Sequence, residues 1–563
     1  MDDAFVREMS EGYAFDETSL SLGAPMLAGE VVAGAPVRLP LSMVNRHGLV
    51  AGATGTGKTK TLQILAGQLS DEGVPVFVSD VKGDLTGISQ PGDAAAPPIV
   101  ERARQLGIAY EPKEHPVELL SLSGALGAQV RATVSSFGPI LLGKVLDLNK
   151  TQVSVLTLVF AYCDDQRLPL LDLADLRTTL KFLSSSDGKA TLEEYGGFSK
   201  ATIGVLLRSI VELEAAGAEA FFGEPEFDVH DLMRTTSDGR GVVSLLELAD
   251  VMDRPRLFST FMLWMLAQLY AQLPEEGDLP KPKLAFFFDE AHLLFDEASD
   301  ALMDQIELTA RLIRSKGVGV YFVTQDPADV PSSVLSQLGN RVQHALRVYT
   351  PEDETNLRKA VRTFPKSEHY DVGETLTSLG IGEALVTVLS PKGVPTPLAA
   401  TRLVPPDSLM DAVDDATRAQ LIADGSLRAK YAQVVDRESA HEMITARLNG
   451  AAAVVADKSM ADRVPPTGDP PLPPPPGGAP PAPTSSARSA STPRPKPSSK
   501  PEVPGKARAD TKPDAETKRR ADAEDGLADS VKDIGVGFAK DMLTTADGRR
   551  TLRTVFGALF GKR

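Results

Sequence analysis

Gly52-Ala53-Thr54-Gly55-Thr56-Gly57-Lys58-Thr59 reads G-x-x-x-x-G-K-T, the pattern of a loop that cradles nucleotide phosphates. Its glycines let successive backbone N–H groups converge on an anion at a helix amino end, where the dipole already favours negative charge. The nucleotide-binding set runs from Gly52 through Lys60: Lys58 would reach the β- and γ-phosphates, and the Thr59 hydroxyl would hold Mg²⁺. A bare glycine-rich turn would need neither the lysine nor the hydroxyl. Far downstream, Phe286-Phe287-Phe288-Asp289-Glu290 is an apolar run closed by two acids. Asp289 would hold Mg²⁺ through its water shell, opposite Thr59, and Glu290 would orient and polarise an attacking water. Gln325, at the end of another apolar run, can reach the γ-phosphate as a sensor. Charge developing on the γ-phosphoryl oxygens calls for one more cation, and Arg314 and Arg46 are the candidates to supply it from a neighbouring subunit.

These residues need a frame that holds them at one edge. Gly48-Leu49-Val50-Ala51 enters the loop as a strand and Lys60 to Ala66 leaves it with helical spacing. Further buried strands are expected at 74–79, 241–246, 283–288, 319–325 and 342–348, six parallel strands in all, with 384–389 and 397–403 as added edge strands. Asp80-Val81-Lys82-Gly83-Asp84 follows the second strand, where an open parallel sheet binds ligands, so Asp80 and Lys82 are expected to face the nucleotide or the linkage from it. The uncharged stretch Leu257 to Pro274 is diluted by Ser259, Thr260, Gln268 and Gln272. It reads as a buried crossover helix rather than a membrane span.

The fold class is therefore α/β, a doubly wound and mainly parallel P-loop sheet. Its parts are a β-rich lead-in (1–45), a first core part (46–94), a helical insertion (95–240) and a second core part (241–404). Within the insertion, helices are expected at 144–162, 170–183 and 200–216, the last capped by Ser199. A charged helical extension follows (405–463), then a disordered Pro-rich and charged linker (464–526). The C-terminal helix (527–563) carries Leu552, Val555, Phe556, Leu559 and Phe560 with Arg549, Arg550, Arg553, Lys562 and Arg563 around them. Such a tethered basic amphipathic tail suits docking on a protein partner, on its own body or, less well, on a membrane.

With 563 residues the chain exceeds one core, and its single Cys163 excludes a disulfide framework and any cysteine-based zinc cluster. That fits a reducing cytoplasm, as does an acidic start, Met1-Asp2-Asp3, with no apolar segment of a signal peptide behind it. The net charge of −17 argues against nucleic-acid binding over the whole surface and leaves room only for a basic channel. The seven histidines show no metal-ligand spacing.

Together the loop at 52–59, the Asp80 to Asp84 step, Phe287 to His292, Gly317 to Gln325 and Leu338-Gly339-Asn340-Arg341-Val342 resemble the HerA/FtsK superfamily of P-loop motor ATPases. Within it they are similar to the bacterial HerA-like helicases of the DUF853 group, over about residues 25 to 400 and again at the tail Phe556 to Gly561. The resemblance implies a RecA-like core of the ASCE type, a homo-hexameric ring with ATP at subunit interfaces, Mg²⁺-dependent hydrolysis and translocation on double-stranded DNA. By motif match Lys58, Thr59, Asp289, Glu290, Gln325 and Arg314 carry the chemistry. About 45 residues before the core leave little room for the larger β-barrel with which archaeal relatives begin. The residues also leave two other readings open: a protein-moving or secretion-type ATPase docked at a membrane, and a slow nucleotide-gated scaffold.

Overall fold

The computed structural model describes residues 3–188, 199–251, 255–295 and 300–449. Thirteen strands form one sheet. They are β1 (Ser19–Leu27), β2 (Glu30–Val31), β3 (Val37–Pro40), β4 (Gly48–Ala51), β5 (Val76–Asp80), β6 (Val117–Ser121), β7 (Ala128–Gln129), β8 (Val243–Glu247), β9 (Leu284–Phe288), β10 (Val318–Thr324), β11 (Asn340–Gln343), β12 (Glu383–Thr387) and β13 (Ala399–Leu403). Their order is β2-β1-β13-β12-β11-β4-β10-β9-β5-β8-β6-β7, with β3 also on β1. From β11 to β7 every pairing is parallel; β12, β13 and β1 to β3 add antiparallel pairings.

Buried parallel strands read as continuous apolar runs because helices cover both faces. On one face Val50, Val76, Val78, Phe287, Tyr321 and Val323 meet Leu62, Leu65, Ala66 and Leu69 of α2 (Lys58–Asp71). Phe5 and Met9 of α1 (Asp3–Gly12) join the same core. The opposite pleat carries an aromatic row: Phe77 stacks on Phe286 at 4.3 Å and Phe288 on Phe322 at 5.3 Å. Each such fully buried phenylalanine contributes about 1.5–3 kcal/mol. The sheet is the doubly wound, mainly parallel RecA-like one expected.

Several expectations need correction. The lead-in, expected to be β-rich, opens with a helix, and its strands join the main sheet. β12 and β13 are interior strands, since β1 covers β13. The segment 95–240 is not all helical. After α3 (Pro97–Leu106) it adds β6 and β7 to the sheet before α4 (Val134–Val145), α5 (Lys150–Asp165), α6 (Leu173–Ser184) and α7 (Lys200–Ala215). The helix expected over 144–162 breaks at Leu146–Leu148, because Asn149 caps α5 and so starts a new helix. Ser199 caps α7 as expected, accepting from Thr202 N. The uncharged stretch is α8 (Pro255–Gln272), with Phe261 to Ala267 buried and Trp264 Nε1 donating to Ser136 Oγ at 3.1 Å. Among the described residues no helix is long and apolar enough to cross a membrane.

After β13 the chain turns back as a strap. It crosses α2, carries α12 (Asp415–Asp424) past β6, and reaches the helices of 134–233; α9 (Asp300–Ile313), α10 (Pro351–Val361) and α11 (Val372–Ser378) fill the gaps between the later strands. The linker at 464–526 and the tail helix at 527–563 lie outside the described residues.

Candidate nucleotide site

The loop from β4 to α2 opens at the carboxyl edge of the sheet. Gly52 has φ +151° and a Cβ there would lie 2.4 Å from His344 Cβ; Gly57, at φ +115°, forms the N-cap of α2. Neither position admits a side chain without strain. The loop is braced by the end of β10 and by the chain flanking β11 and β12: Gly52 N donates to Thr324 O, Ala53 N to Ala345 O at 2.9 Å, and Gly382 N to Thr56 O at 3.0 Å. The first-turn amides of α2, including those of Thr59 and Lys60, have no carbonyl within the helix and face the loop's mouth. Lys58 Nζ donates to Gly52 O at 2.7 Å and Ala53 O at 3.3 Å. A triphosphate would take it by exchanging those carbonyls for phosphate oxygens. Burial presses the Lys58 ammonium below its usual value, while Glu290 pulls the other way. The Lys60 ammonium turns out of the site to the Met410 carbonyl of the strap.

β10 lies between β4 and β9, with Thr324 opposite Ala51 and Phe322 opposite Phe288. Gln325 therefore stands between the loop and the two acids. Its Oε1 accepts from Thr54 Oγ1 at 3.1 Å and its Nε2 donates to Glu290 Oε2 at 3.3 Å. Glu290 has φ +47°, in the left-handed region, with Ala291 N held by Val323 O at 2.8 Å. That backbone costs on the order of 1 kcal/mol or more for a residue with a Cβ.

Asp289 is buried beside Glu290. Burial first, then the charges of Glu290 and Asp80, push its carboxyl up to about 7. A bound cation would reverse that, which is the fit expected of a Mg²⁺ ligand. Among the described residues no three His, Cys, Asp or Glu side chains gather as a metal cage. Thr59 stands on the first turn of α2 with its side chain half-buried.

The Asp80 to Asp84 step divides its roles. Asp80 is fully buried, its two oxygens accepting from the amides of Lys82, Gly83 and Leu85. It shapes the turn, while Lys82 reaches Glu290 and forms an ion pair with it. Burial works to raise Glu290, yet Lys82, Gln325 and Lys58 outweigh it and hold the carboxyl below its usual range.

Arg314 and Arg46 are not part of this cluster within the chain. Arg314 is exposed, in the turn before β10, and Arg46 precedes β4 and donates to Asp278 Oδ1 at 3.0 Å. Both stand at the amino edge of the sheet, roughly 20 Å of strand away from Gln325. Asn340 is likewise at that edge, its amide donating to Met43 O and His47 O, a structural tie.

Sequence reasoning missed the braces. His344 Nδ1 donates to Glu383 O at 3.0 Å, which leaves Nε2 to accept from Thr61 Oγ1 at 2.8 Å, and burial lowers its pKa to about 4. Arg102 donates to the carbonyls of Ile381, Gly382 and Leu403 and so holds the strand end that meets Thr56. An isolated histidine and arginine carry no spacing signal that could have pointed to them.

The sequence profile described as Helicase HerA-like C-terminal matches residues 26–473. The chain belongs to this family. The HerA-like protein is 23% identical over 378 residues to the DNA double-strand break repair helicase HerA of Sulfolobus acidocaldarius, an alignment covering 66% of this chain and 68% of that one. To the protein of the same name from Saccharolobus solfataricus it is 22% identical over 364 residues, covering 62% of this chain and 63% of that one. Solved structures that align with it include the bacterial conjugative coupling protein TrwB, at 15% identity and TM-score 0.43, covering 70% of this chain and 93% of that one. VirB4 of Thermoanaerobacter pseudethanolicus aligns at 15% identity and TM-score 0.43, covering 69% and 98%. The family and P-loop sheet together make the HerA-like protein an ATPase.

Proposed function

We propose that the HerA-like protein is a Mg²⁺-dependent ATP-hydrolysing motor that assembles as a ring, binds ATP between subunits and moves along double-stranded DNA. The observation that carries this is the meeting of Lys58, Gln325, Asp289 and Glu290 at the carboxyl ends of neighbouring strands β4, β10 and β9. In this reading the loop amides and Lys58 hold the triphosphate, while Thr59 and Asp289 hold the ion. An ion held by Thr59 and Asp289 would supply positive charge against the negative charge developing at the γ-phosphoryl group. Gln325 fixes Glu290, and Glu290 aligns the water. DNA enters through the chemistry of the relatives, both of which are DNA repair helicases by name. The test is ATP turnover with and without duplex DNA across a salt series. Stimulation that fades as salt rises supports it, because phosphate contacts release counterions. No stimulation at low salt removes DNA from the reading. The net charge of −17 favours a second reading, a motor that moves protein; it gains if turnover ignores DNA yet Lys58→Ala still abolishes it.

A further inference from the structure

Glu290 must be free to align water, yet both of its oxygens are engaged. Oε1 is paired with Lys82 Nζ, Oε2 accepts from Gln325 Nε2 at 3.3 Å, and His292 Nδ1 stands 3.4 Å from Oε2. A carboxylate held by a cation is a poor acceptor for the proton of an attacking water. The pair joins two adjacent strand ends, since Ser79 of β5 lies opposite Phe288 of β9. Its members differ in access: the Glu290 side chain is 5% exposed and that of Lys82 is 49% exposed. Asp80 pins the turn backbone beneath Lys82, so opening the pair requires only the lysine side chain to move. Lys82 is the open member of the pair, so an anion from outside the subunit can compete with Glu290 for its ammonium, and a polyphosphate backbone is an anion of the required kind.

We infer that Lys82 is a positioning residue, a latch that keeps Glu290 off the attacking water until a phosphate of the DNA backbone draws its ammonium away. The inference rests on the ATPase-motor reading and supplies its coupling of hydrolysis to cargo. Lys58 donates to the loop carbonyls of Gly52 and Ala53, whereas Lys82 is paired with the acid; in this inference Lys82 restrains Glu290 and Lys58 holds the nucleotide.

The experiment is steady-state hydrolysis by full-length Lys82→Met and Lys82→Gln, with and without duplex DNA. The rate without DNA rises about fivefold or more, KM stays within about twofold, and further stimulation by DNA is lost. Lys82→Arg restores wild-type behaviour, and adding Glu290→Gln to Lys82→Met removes the gain. An unchanged or lower basal rate, or a raised KM, in both neutral variants overturns the latch. So does a gain that survives Glu290→Gln. If duplex DNA still stimulates the neutral variants as it does wild type, DNA is not the opener. Hydrolysis that survives Lys58→Ala overturns the assignment of the motor's ATP site to this loop, a result separate from any of these.

Discussion

Glu290 works from a left-handed backbone conformation, held there because Ala291 N is bound to the neighbouring strand at Val323 O. Removing its charge while keeping its shape separates binding from chemistry. Glu290→Gln should bind ATP with unchanged affinity and lose about 10²-fold or more in turnover, read by filter binding and phosphate release. Lys58→Ala should instead lose binding, by roughly 10- to 100-fold, since a charge-assisted contact of about 1.5–3 kcal/mol goes with it. Both residues were legible in the sequence because their motifs are local and strict. The ion pair with Lys82 was not, since it requires knowing that β5 and β9 are neighbours. Glu247 is another residue that only the fold exposes. It is fully buried at the end of β8 with neither oxygen hydrogen-bonded, and burial, then Asp80, pushes its pKa from 4.5 to about 8. Between those values the folded protein keeps a proton that the unfolded chain releases, so this group costs stability as pH rises through that window. Glu247→Gln should therefore raise the thermal midpoint relative to wild type at pH 8.5, by at most about 5 kcal/mol in stability, with the gap closing near pH 5. A gap that stays constant across the range would refute this account of Glu247.

At the scale of elements, the strands that place the site were readable as uninterrupted apolar runs, and so was α8 as a buried crossover. β6 and β7 were not. Val117-Glu118-Leu119-Leu120-Ser121 is a short run with a glutamate inside it, and that glutamate is buried because Arg234 and the amides of Ser426 and Leu427 satisfy it. Its partners lie far away in sequence, so no local pattern announces the strand. The same is true of the strap over 405–431. Its helices were expected, but not its path, which is fixed by close backbone approach: Leu409 N donates to Gln90 O at 2.8 Å, and Gln63 of α2 donates to Leu409 O. A Cβ at Gly87 would lie 2.0 Å from Asp411 O and 2.4 Å from Leu409 O. No side-chain rotation can relieve a backbone clash, so Gly87→Ala should destabilise the fold by about 1–3 kcal/mol in urea unfolding. Wild-type stability in Gly87→Ala would mean the strap lifts off freely.

For the whole molecule, one chain is an incomplete catalyst if hydrolysis needs a further cation. Among the described residues Lys58 and Lys82 are the cations that act on Glu290, and Arg314 and Arg46 stand at the other edge of the sheet. From that edge neither of these two arginines reaches a γ-phosphate held by its own loop, so in the proposed ring either would come from a neighbouring copy, with the amino edge of one sheet facing the carboxyl edge of the next. Contacts that repeat head to tail in this way generate a ring when the rotation closes. The exposed Arg314 is free to be presented, whereas Arg46 is tied to Asp278. Arg314→Ala alone should therefore lose turnover about 10³-fold, as expected of an arginine supplied in trans. Glu290→Gln alone should be similarly inactive. Mixed in equal amounts under conditions that let subunits exchange, they should regain activity, because an intact Glu290 on one subunit can meet an intact Arg314 on the next. Random assembly sets that share at roughly a quarter of interfaces, with no recovery for mixtures made under conditions that prevent exchange. If mixing restores nothing while gel filtration shows hybrid rings, the two residues do not share a site and Arg314 is a surface charge.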